Sequence, residues 1–306
     1  MNRSIFICPV CSSPLEAAAK TYRCVNNHTY DLSKEGYVNL LLANQKHSRE
    51  PGDSKEMLEA RRFFLNKGYY KPLARSAASL IVKYRKRSVI IPHDQKLTYC
   101  ARRNYLQPLQ TRTGFTILDA GCGEGYYTDY ISRNHLISRT SEIYGIDISK
   151  EGIKYASKRD SSVKFAVAGI YNLPVADSSV DLILNIFAPF DESQFKRVLK
   201  ENGKIISVAP GAHHLYEFKK HLYDDVYLND EEFKLSENFR ITETLRVKYE
   251  LSIHNRDDIA NLLKMTPYYH KSLPERVESF LNEVYELKTT ADFVIRVISI
   301  AFTQKD

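Results

Sequence analysis

The run Ile117-Leu118-Asp119-Ala120-Gly121-Cys122-Gly123-Glu124-Gly125-Tyr126-Tyr127 constrains this chain more than any other stretch. A strand-like apolar segment is followed at once by three alternate glycines and then by an amphipathic, helix-length segment. Glycines at 121, 123 and 125 let the backbone turn tightly and approach a ligand with no side chain between. Strand-like runs recur at 143–147, 163–167, 180–184 and 204–208 with helix-length segments between them. That alternation predicts an α/β fold with a parallel sheet, helices on both faces and ligands bound at the carboxyl ends of the strands. Asp147 ends the second run, where a ribose needs a carboxylate. Tyr126 stands where the dinucleotide pattern G-x-G-x-x-G would continue, so the D-x-G-x-G-x-G spacing favours S-adenosylmethionine. A dinucleotide or a bare turn are the alternatives. Gly121, Gly123, Gly125 and Asp147 are the candidate cofactor-binding residues.

A second constraint lies upstream. Cys8-Pro9-Val10-Cys11 is a C-x-x-C, and Cys24 with His28 forms a second pair one short hairpin later. Four soft ligands on two tight turns suit tetrahedral zinc, and a closed four-ligand site holds shape instead of doing chemistry. A redox pair is the alternative, though Pro14 follows too closely for the helix such a pair would open. The only other cysteines are Cys100 and Cys122. Residues 54–82 change to helical period, with Met57, Ala60, Phe63 and Phe64, then Leu73, Ala77, Leu80 and Ile81. Gly68-Tyr69-Tyr70 and Pro72 divide them into two helices. Residues 83–114 read as an irregular basic connection. After Gly211 the pattern predicts a helix through about Tyr223, a strand over 242–251, a helix over 257–264 and a final strand over 293–302. The expected division is 1–45, a zinc-binding RNA-recognition module; 46–114, a helical connection with a basic insertion; and 115–306, the cofactor-binding domain.

Charge separates along these lines. Residues 1–116 hold 20 Lys and Arg against 8 Asp and Glu, and residues 117–306 hold 24 against 29. A segregated excess of cations points to a polyanionic partner, because Lys and Arg release counterions when they neutralise phosphates. Surface solubility is the blander explanation. At 43% hydrophobic and 26% charged residues the chain is that of a soluble globular protein. No apolar run approaches a membrane span, and the apolar stretch near Met1 is too short for a signal peptide. A cytoplasmic protein with no membrane partner is expected.

With these residues in view, D-x-G-C-G-E-G-Y-Y followed by Gly145-Ile146-Asp147-Ile148-Ser149 is similar to the class I (Rossmann-like) S-adenosylmethionine-dependent methyltransferases. The chain more narrowly resembles the zinc-containing bacterial large-subunit (23S) ribosomal RNA (guanine-N1)-methyltransferases of the RlmA type. The stretches that carry this resemblance are the Cys8, Cys11, Cys24, His28 quartet, the run from Lys34 to Leu41, Pro51-Gly52-Asp53, Ala60-Arg61-Arg62 and Gly68 with Tyr70. Further along come Ala188-Pro189, Pro210-Gly211 with His214, and Met265-Thr266-Pro267, all in the family's order. The resemblance implies zinc on the quartet and S-adenosylmethionine contacts from Tyr70, Gly123, Glu124 and His214. It also implies methylation of guanine N1 in a 23S ribosomal RNA hairpin loop, and a homodimer. Two departures stand out. The segment between Leu73 and Phe115 is longer than the family's and carries Lys83, Arg85, Lys86, Arg87, Lys96, Arg102 and Arg103. His270 stands where the family has tryptophan, and the chain has no tryptophan.

Guanine N1 carries a proton at neutral pH, so methylation needs a base. Asp191, just past the fourth strand, is the candidate, with a helix cap as its alternative role. A small-molecule methyltransferase with an accessory zinc module, and a non-catalytic RNA-binding protein on the same scaffold, are the alternative functions.

Overall fold

The computed structural model describes residues 4–45, 51–87 and 114–301. Four short strands open the chain: β1 (Glu16–Ala18), β2 (Thr21–Arg23), β3 (Thr29–Asp31) and β4 (Val38–Asn39). The first three make a small antiparallel sheet. Two helices follow, α1 (Lys55–Asn66) and α2 (Lys71–Arg87), as the periodicity predicted. Ser54 caps α1 by accepting from the Met57 N–H at 3.2 Å, and the helix buries Leu58, Ala60, Phe64 and Leu65. Gly68, at φ +85°, ends that run. The second helix continues to Arg87, past the start of the expected irregular connection. Tertiary anchors account for this. Tyr84 is buried, Lys83 Nζ reaches both Glu243 oxygens at 2.6 and 2.7 Å, and Arg85 donates to the Leu136 carbonyl. Lys96, Cys100, Arg102 and Arg103 lie outside the described residues.

The remaining elements are β5 (Phe115–Ala120), α3 (Tyr126–Ser132), α4 (His135–Ser138), β6 (Ser141–Asp147), α5 (Lys150–Arg159), β7 (Lys164–Val167), β8 (Val180–Ile186), α6 (Glu192–Val198), β9 (Leu199–Pro210), α7 (Tyr216–Lys219), β10 (Phe239–Ile253), α8 (Arg256–Lys264), α9 (Tyr268–Lys271), α10 (Pro274–Glu283) and β11 (Leu287–Ile300). They build an eight-stranded sheet in the order β10-β11-β9-β8-β5-β6-β7-β4. Pairing is parallel from β4 through β9, and β11 is antiparallel to both its neighbours. The five central runs read from the sequence are all strands, because apolar residues buried on both faces leave little else for them to be. From β5 the chain builds outward on one side through β6 and β7, then crosses to β8 on the other. A crevice therefore opens beyond the carboxyl ends of β5 and β8.

The β10–β11 hairpin runs from Phe239 opposite Ile300 to Ile253 opposite Leu287. Since β10 runs with β9, its connection to β11, carrying α8, α9 and α10, lies at the same carboxyl edge as that crevice. The helix expected after Gly211 is limited to the single turn of α7. Leu215 is buried at φ +54°, with its N–H on the Thr290 carbonyl, and this left-handed residue breaks the helix before it can lengthen. Among the described residues no helix is long and apolar enough to cross a membrane.

The N-terminal segment is stitched to the sheet layer. Ile7 N–H donates to Pro174 O at 2.9 Å and Ala176 N–H to Ile5 O at 2.8 Å. The Phe6 ring meets Tyr144 edge-on with centroids 5.3 Å apart.

Candidate functional site

Cys8, Cys11, Cys24 and His28 converge, with their ligand atoms all within 4.8 Å of one another. Each pair sits on a tight turn. Ser12 N–H closes on Cys8 O at 2.8 Å and Asn27 N–H on Cys24 O at 3.0 Å, with Ser12 and Asn27 both at positive φ. Cys11 Sγ lies 3.7 Å from Cys24 Sγ, and His28 Nδ1 lies 3.5 Å from Cys8 Sγ and 3.4 Å from Cys24 Sγ. A tetrahedral zinc with bonds of ~2.3 Å to sulfur has sulfur–sulfur edges of about 3.8 Å, so the donor set fits the ion as it stands. Hydrogen bonds from Ser13 and Asn26 hold the Cys11 thiol at about 5, on the thiolate side at neutral pH. Tyr30 Oη, 3.1 Å from Cys8 Sγ, is placed to donate to that sulfur once it is ionised.

The glycine loop forms a cradle at the carboxyl end of β5. Gly121, Gly123 and Gly125 have φ of +86°, +54° and +83°. A Cβ on Gly121 would strike Ala188 Cβ, and one on Gly125 would meet Ala156 at 2.7 Å. One on Gly123 would find only the Arg61 guanidinium, at 3.6 Å. Thus Gly121 and Gly125 pack the loop against the body, while Gly123 faces only the tip of the Arg61 side chain. Asp147, at the end of β6, accepts from Gly123 N–H at 2.9 Å and Ser149 N–H at 2.7 Å. Burial raises its pKa against the pull of those two N–H groups, and each oxygen keeps a lone pair for a ribose hydroxyl. The cradle fits S-adenosylmethionine.

Glu124 is held differently from a simple ligand contact. Its carboxylate is only 1% exposed and pairs with Arg159 of α5, whose Nε lies 2.7 Å from Oε2. Burial raises its pKa and Arg159 opposes the rise. Oε1 has no hydrogen-bond partner among the described residues.

Tyr70 and His214, 144 residues apart, meet with Tyr70 Oη 3.4 Å from His214 Nε2. Asp292 N–H donates to His214 Nδ1 at 3.2 Å, so the imidazole proton sits on Nε2 and is donated to Tyr70. The Tyr70 hydroxyl keeps its own proton for another acceptor. Burial lowers the His214 pKa to about 3, leaving the ring neutral at physiological pH. Both rings pack on Phe293, at 4.9 and 4.7 Å.

Asp191 takes the structural role. It is the N-cap of α6, with Oδ1 accepting from Gln194 N–H at 2.8 Å. His270 is exposed on α9, its ring 5.1 Å from Tyr269. Sequence reasoning places Arg61 only within the Ala60-Arg61-Arg62 stretch and gives it no role; in the structure it bridges Asp53 and the Met265 carbonyl above Gly123. It also missed Arg159, whose pairing with Glu124 across 35 residues leaves no sequence signal.

A zinc-ribbon family model described as RlmA, N-terminal, matches residues 6–49, and a methyltransferase-domain model matches residues 112–250. The Bacillus subtilis (strain 168) protein YxjB, assigned by name as a 23S rRNA (guanine-N(1)-)-methyltransferase, is 32% identical over 301 residues, covering 96% of each chain. A Streptomyces fradiae protein named 23S rRNA (guanine(748)-N(1))-methyltransferase is 28% identical over 211 residues, covering 69% of this chain and 65% of its own. Sheet order, glycine cradle and matched domain together give a class I S-adenosylmethionine-dependent methyltransferase fold with an N-terminal zinc ribbon. The chain belongs to the 23S ribosomal RNA (guanine-N1)-methyltransferase family.

Proposed function

We propose that this enzyme methylates N1 of a guanine in a hairpin loop of 23S ribosomal RNA, with S-adenosylmethionine in the cradle and zinc on the Cys8, Cys11, Cys24, His28 quartet. The observation that carries this reading is the match to YxjB along 96% of both chains, supported by the zinc-ribbon match over residues 6–49 and the methyltransferase-domain match over residues 112–250.

S-adenosylmethionine, when bound, supplies a methyl group activated on a sulfonium. Asp147 would hold its ribose, and Gly123 leaves room for its close approach. Tyr70, fixed by neutral His214, offers one hydroxyl proton to the ligand. Because N1 lies on the Watson–Crick edge, the target guanine must be unpaired or flipped out before it can enter.

The proposed three-part division, 1–45, 46–114 and 115–306, gives RNA gripping to the first two parts. Composition shifts most of that role to the second. Residues 1–45 hold 4 Lys and Arg against 3 Asp and Glu, whereas residues 46–116 hold 16 against 5. Phosphate attraction therefore comes from the helices and the basic segment, while the zinc ribbon contributes shape.

The test is incubation of zinc-loaded enzyme with labelled S-adenosylmethionine and large-subunit ribosomal RNA lacking its base methylations, with the label mapped by mass spectrometry of nuclease fragments. One N1-methylguanine in one hairpin is expected. Absence of RNA label from a protein that still binds S-adenosylhomocysteine would overturn the reading in favour of a metabolite substrate.

A further inference from the structure

The residue directly after β8 is an anomaly. Phe187 is a bulky aromatic at φ +54° and is 44% exposed. The left-handed region is strained for a non-glycine residue, and such strain persists only where the surroundings enforce it. They do so here from both sides. Phe187 N–H is tied to Val208 O at 3.1 Å, and the next residue, Ala188, is wedged against Gly121 of the cofactor loop. The result stands the ring at the crevice, with centroids 5.7 Å from Phe293 and 6.4 Å from Tyr127. An aromatic ring that only filled the core would be buried in a relaxed backbone.

Tyr127 supplies the second observation. It lies in the first turn of α3, immediately after the glycine loop, and its Oη is buried with no hydrogen-bond partner among the described residues. An unsatisfied buried hydroxyl is costly, and a donor left this way beside a binding crevice calls for a ligand oxygen. The Tyr127 ring meets that of Tyr126, the first residue after the glycine loop, with centroids 5.1 Å apart, which keeps it at the cofactor end of the molecule.

We propose that Phe187 and Tyr127 form the seat for the acceptor base, Phe187 stacking on its face and Tyr127 Oη donating to its carbonyl oxygen. This rests on the guanine-methylation reading and names the part of the site that receives the base. Guanine presents a flat π face and the oxygen O6 beside N1. When N1 gives up its proton the negative charge spreads to O6, where a fixed phenolic donor stabilises it. The N1–H bond would break with its electron pair forming the new N1–carbon bond, and the methyl–sulfur bond would break with its pair staying on sulfur, leaving a neutral thioether. The proton goes to a base in solvent or on the RNA. Tyr127 donates a hydrogen bond throughout and does not lose its own proton. Stacking is indifferent to the identity of the base, so the donor to O6 is what separates guanine from adenine at this seat.

The test uses full-length, zinc-loaded enzyme and undermethylated ribosomal RNA, with three variants. Phe187→Gly removes the ring at a φ that glycine adopts freely, so the chain is expected to keep its melting temperature while kcat/KM falls about 10–100-fold. Phe187→Tyr restores the ring and is expected to stay within about fivefold of the parent. Tyr127→Phe removes one donor and is expected to lower kcat about 100-fold with KM little changed. In all three, S-adenosylhomocysteine affinity by calorimetry remains within about threefold. A Phe187→Gly enzyme that keeps parental kcat/KM overturns the assignment. So does one whose S-adenosylhomocysteine affinity falls in step with activity, because the ring then serves the cofactor. A parent enzyme that labels no RNA fails earlier, at the guanine reading itself, and takes this seat with it.

Discussion

The zinc ribbon and the central sheet solve the same folding problem by opposite means. In the ribbon, β1, β2 and β3 are three residues each and mostly solvent-facing, too little to form an independent core. In the sheet, β5 and β8 are buried along nearly their whole length. One is held by four ligands, the other by apolar surface. Yet they share a seam, for Phe6, Leu15 and Tyr22 of the ribbon belong to the same buried cluster as Tyr144, Ile146 and Val175 of the body. A metal module that lends side chains to its neighbour's core is not detachable in the way its sequence suggests.

Zinc removal breaks this comparison most severely. Structural zinc supplies ~10–16 kcal/mol to small modules, far beyond what three short strands can replace. Chelation is expected to erase amide protection over residues 4–32 and to lower ribosomal RNA methylation at least ~100-fold, with S-adenosylhomocysteine binding within ~3-fold. Hydrogen exchange and calorimetry on one sample read both. Collapse of cofactor affinity as well would mean that Phe6 and Leu15 are body core first and ribbon second.

The two regions were also legible in different ways. The zinc site could be read because ligand chemistry needs only residue type and spacing, both visible in Cys8, Cys11, Cys24 and His28. The central strands were visible because burial on both faces leaves continuous apolar runs. β4 was not, since a two-residue strand has no period and is made by its parallel pairing with β7 and an antiparallel bridge from Val38 to Leu32. Tyr70 and His214 were named through family resemblance, but their contact is a product of the fold, as is the ion pair of Glu124 with Arg159. Helices α9 and α10 went unread: α9 is a single turn, and α10 has Phe280 as its one fully covered residue, a faint apolar signal. Phe187 directly precedes the Ala188-Pro189 pair that carries part of the resemblance, but nothing in a linear sequence announces a left-handed backbone.

A smaller effect sharpens the contrast from the body's side. Asp119, the second-last residue of β5 before the cradle, is 2% exposed and accepts from Thr128 Oγ1 at 2.5 Å. Burial lifts its pKa to about 7 from 3.8. A carboxyl raised in the folded state binds its proton more tightly there than when unfolded. Its stabilising contribution is therefore present below about 4 and lost as pH climbs to about 7. His214, lowered to about 3, works in the opposite direction, stabilising above about 6.5 and losing that contribution on acidification. Between pH 4 and 6.5 the two oppose each other. Asp119→Asn deletes one of them, so its stability relative to the parent is expected to rise by about 3 kcal/mol between about pH 4.5 and pH 7.5. Denaturant titrations at pH 4.5 and 7.5 measure the difference. Equal differences at the two pH values would show that Asp119 ionises normally in the fold.

The smallest effect decides a question of mechanism. Asp191 stands at the carboxyl end of β8, where a proton acceptor would be useful, but its Oδ1 is engaged by the Gln194 N–H at the start of α6. Asparagine caps a helix about as well as aspartate but cannot act as a base, whereas alanine does neither. If the cap is all that matters, Asp191→Asn matches the parent in melting temperature and kcat, while Asp191→Ala loses about 1 kcal/mol of stability and keeps kcat within about twofold. If the carboxylate accepts the N1 proton, Asp191→Asn keeps its stability and loses about 100-fold or more in kcat. The pair separates the roles because asparagine removes only the basicity, whereas alanine removes the basicity and the cap together. The hydrogen bond to Gln194 favours the first outcome, which leaves the N1 proton to a group outside the β8–α6 turn.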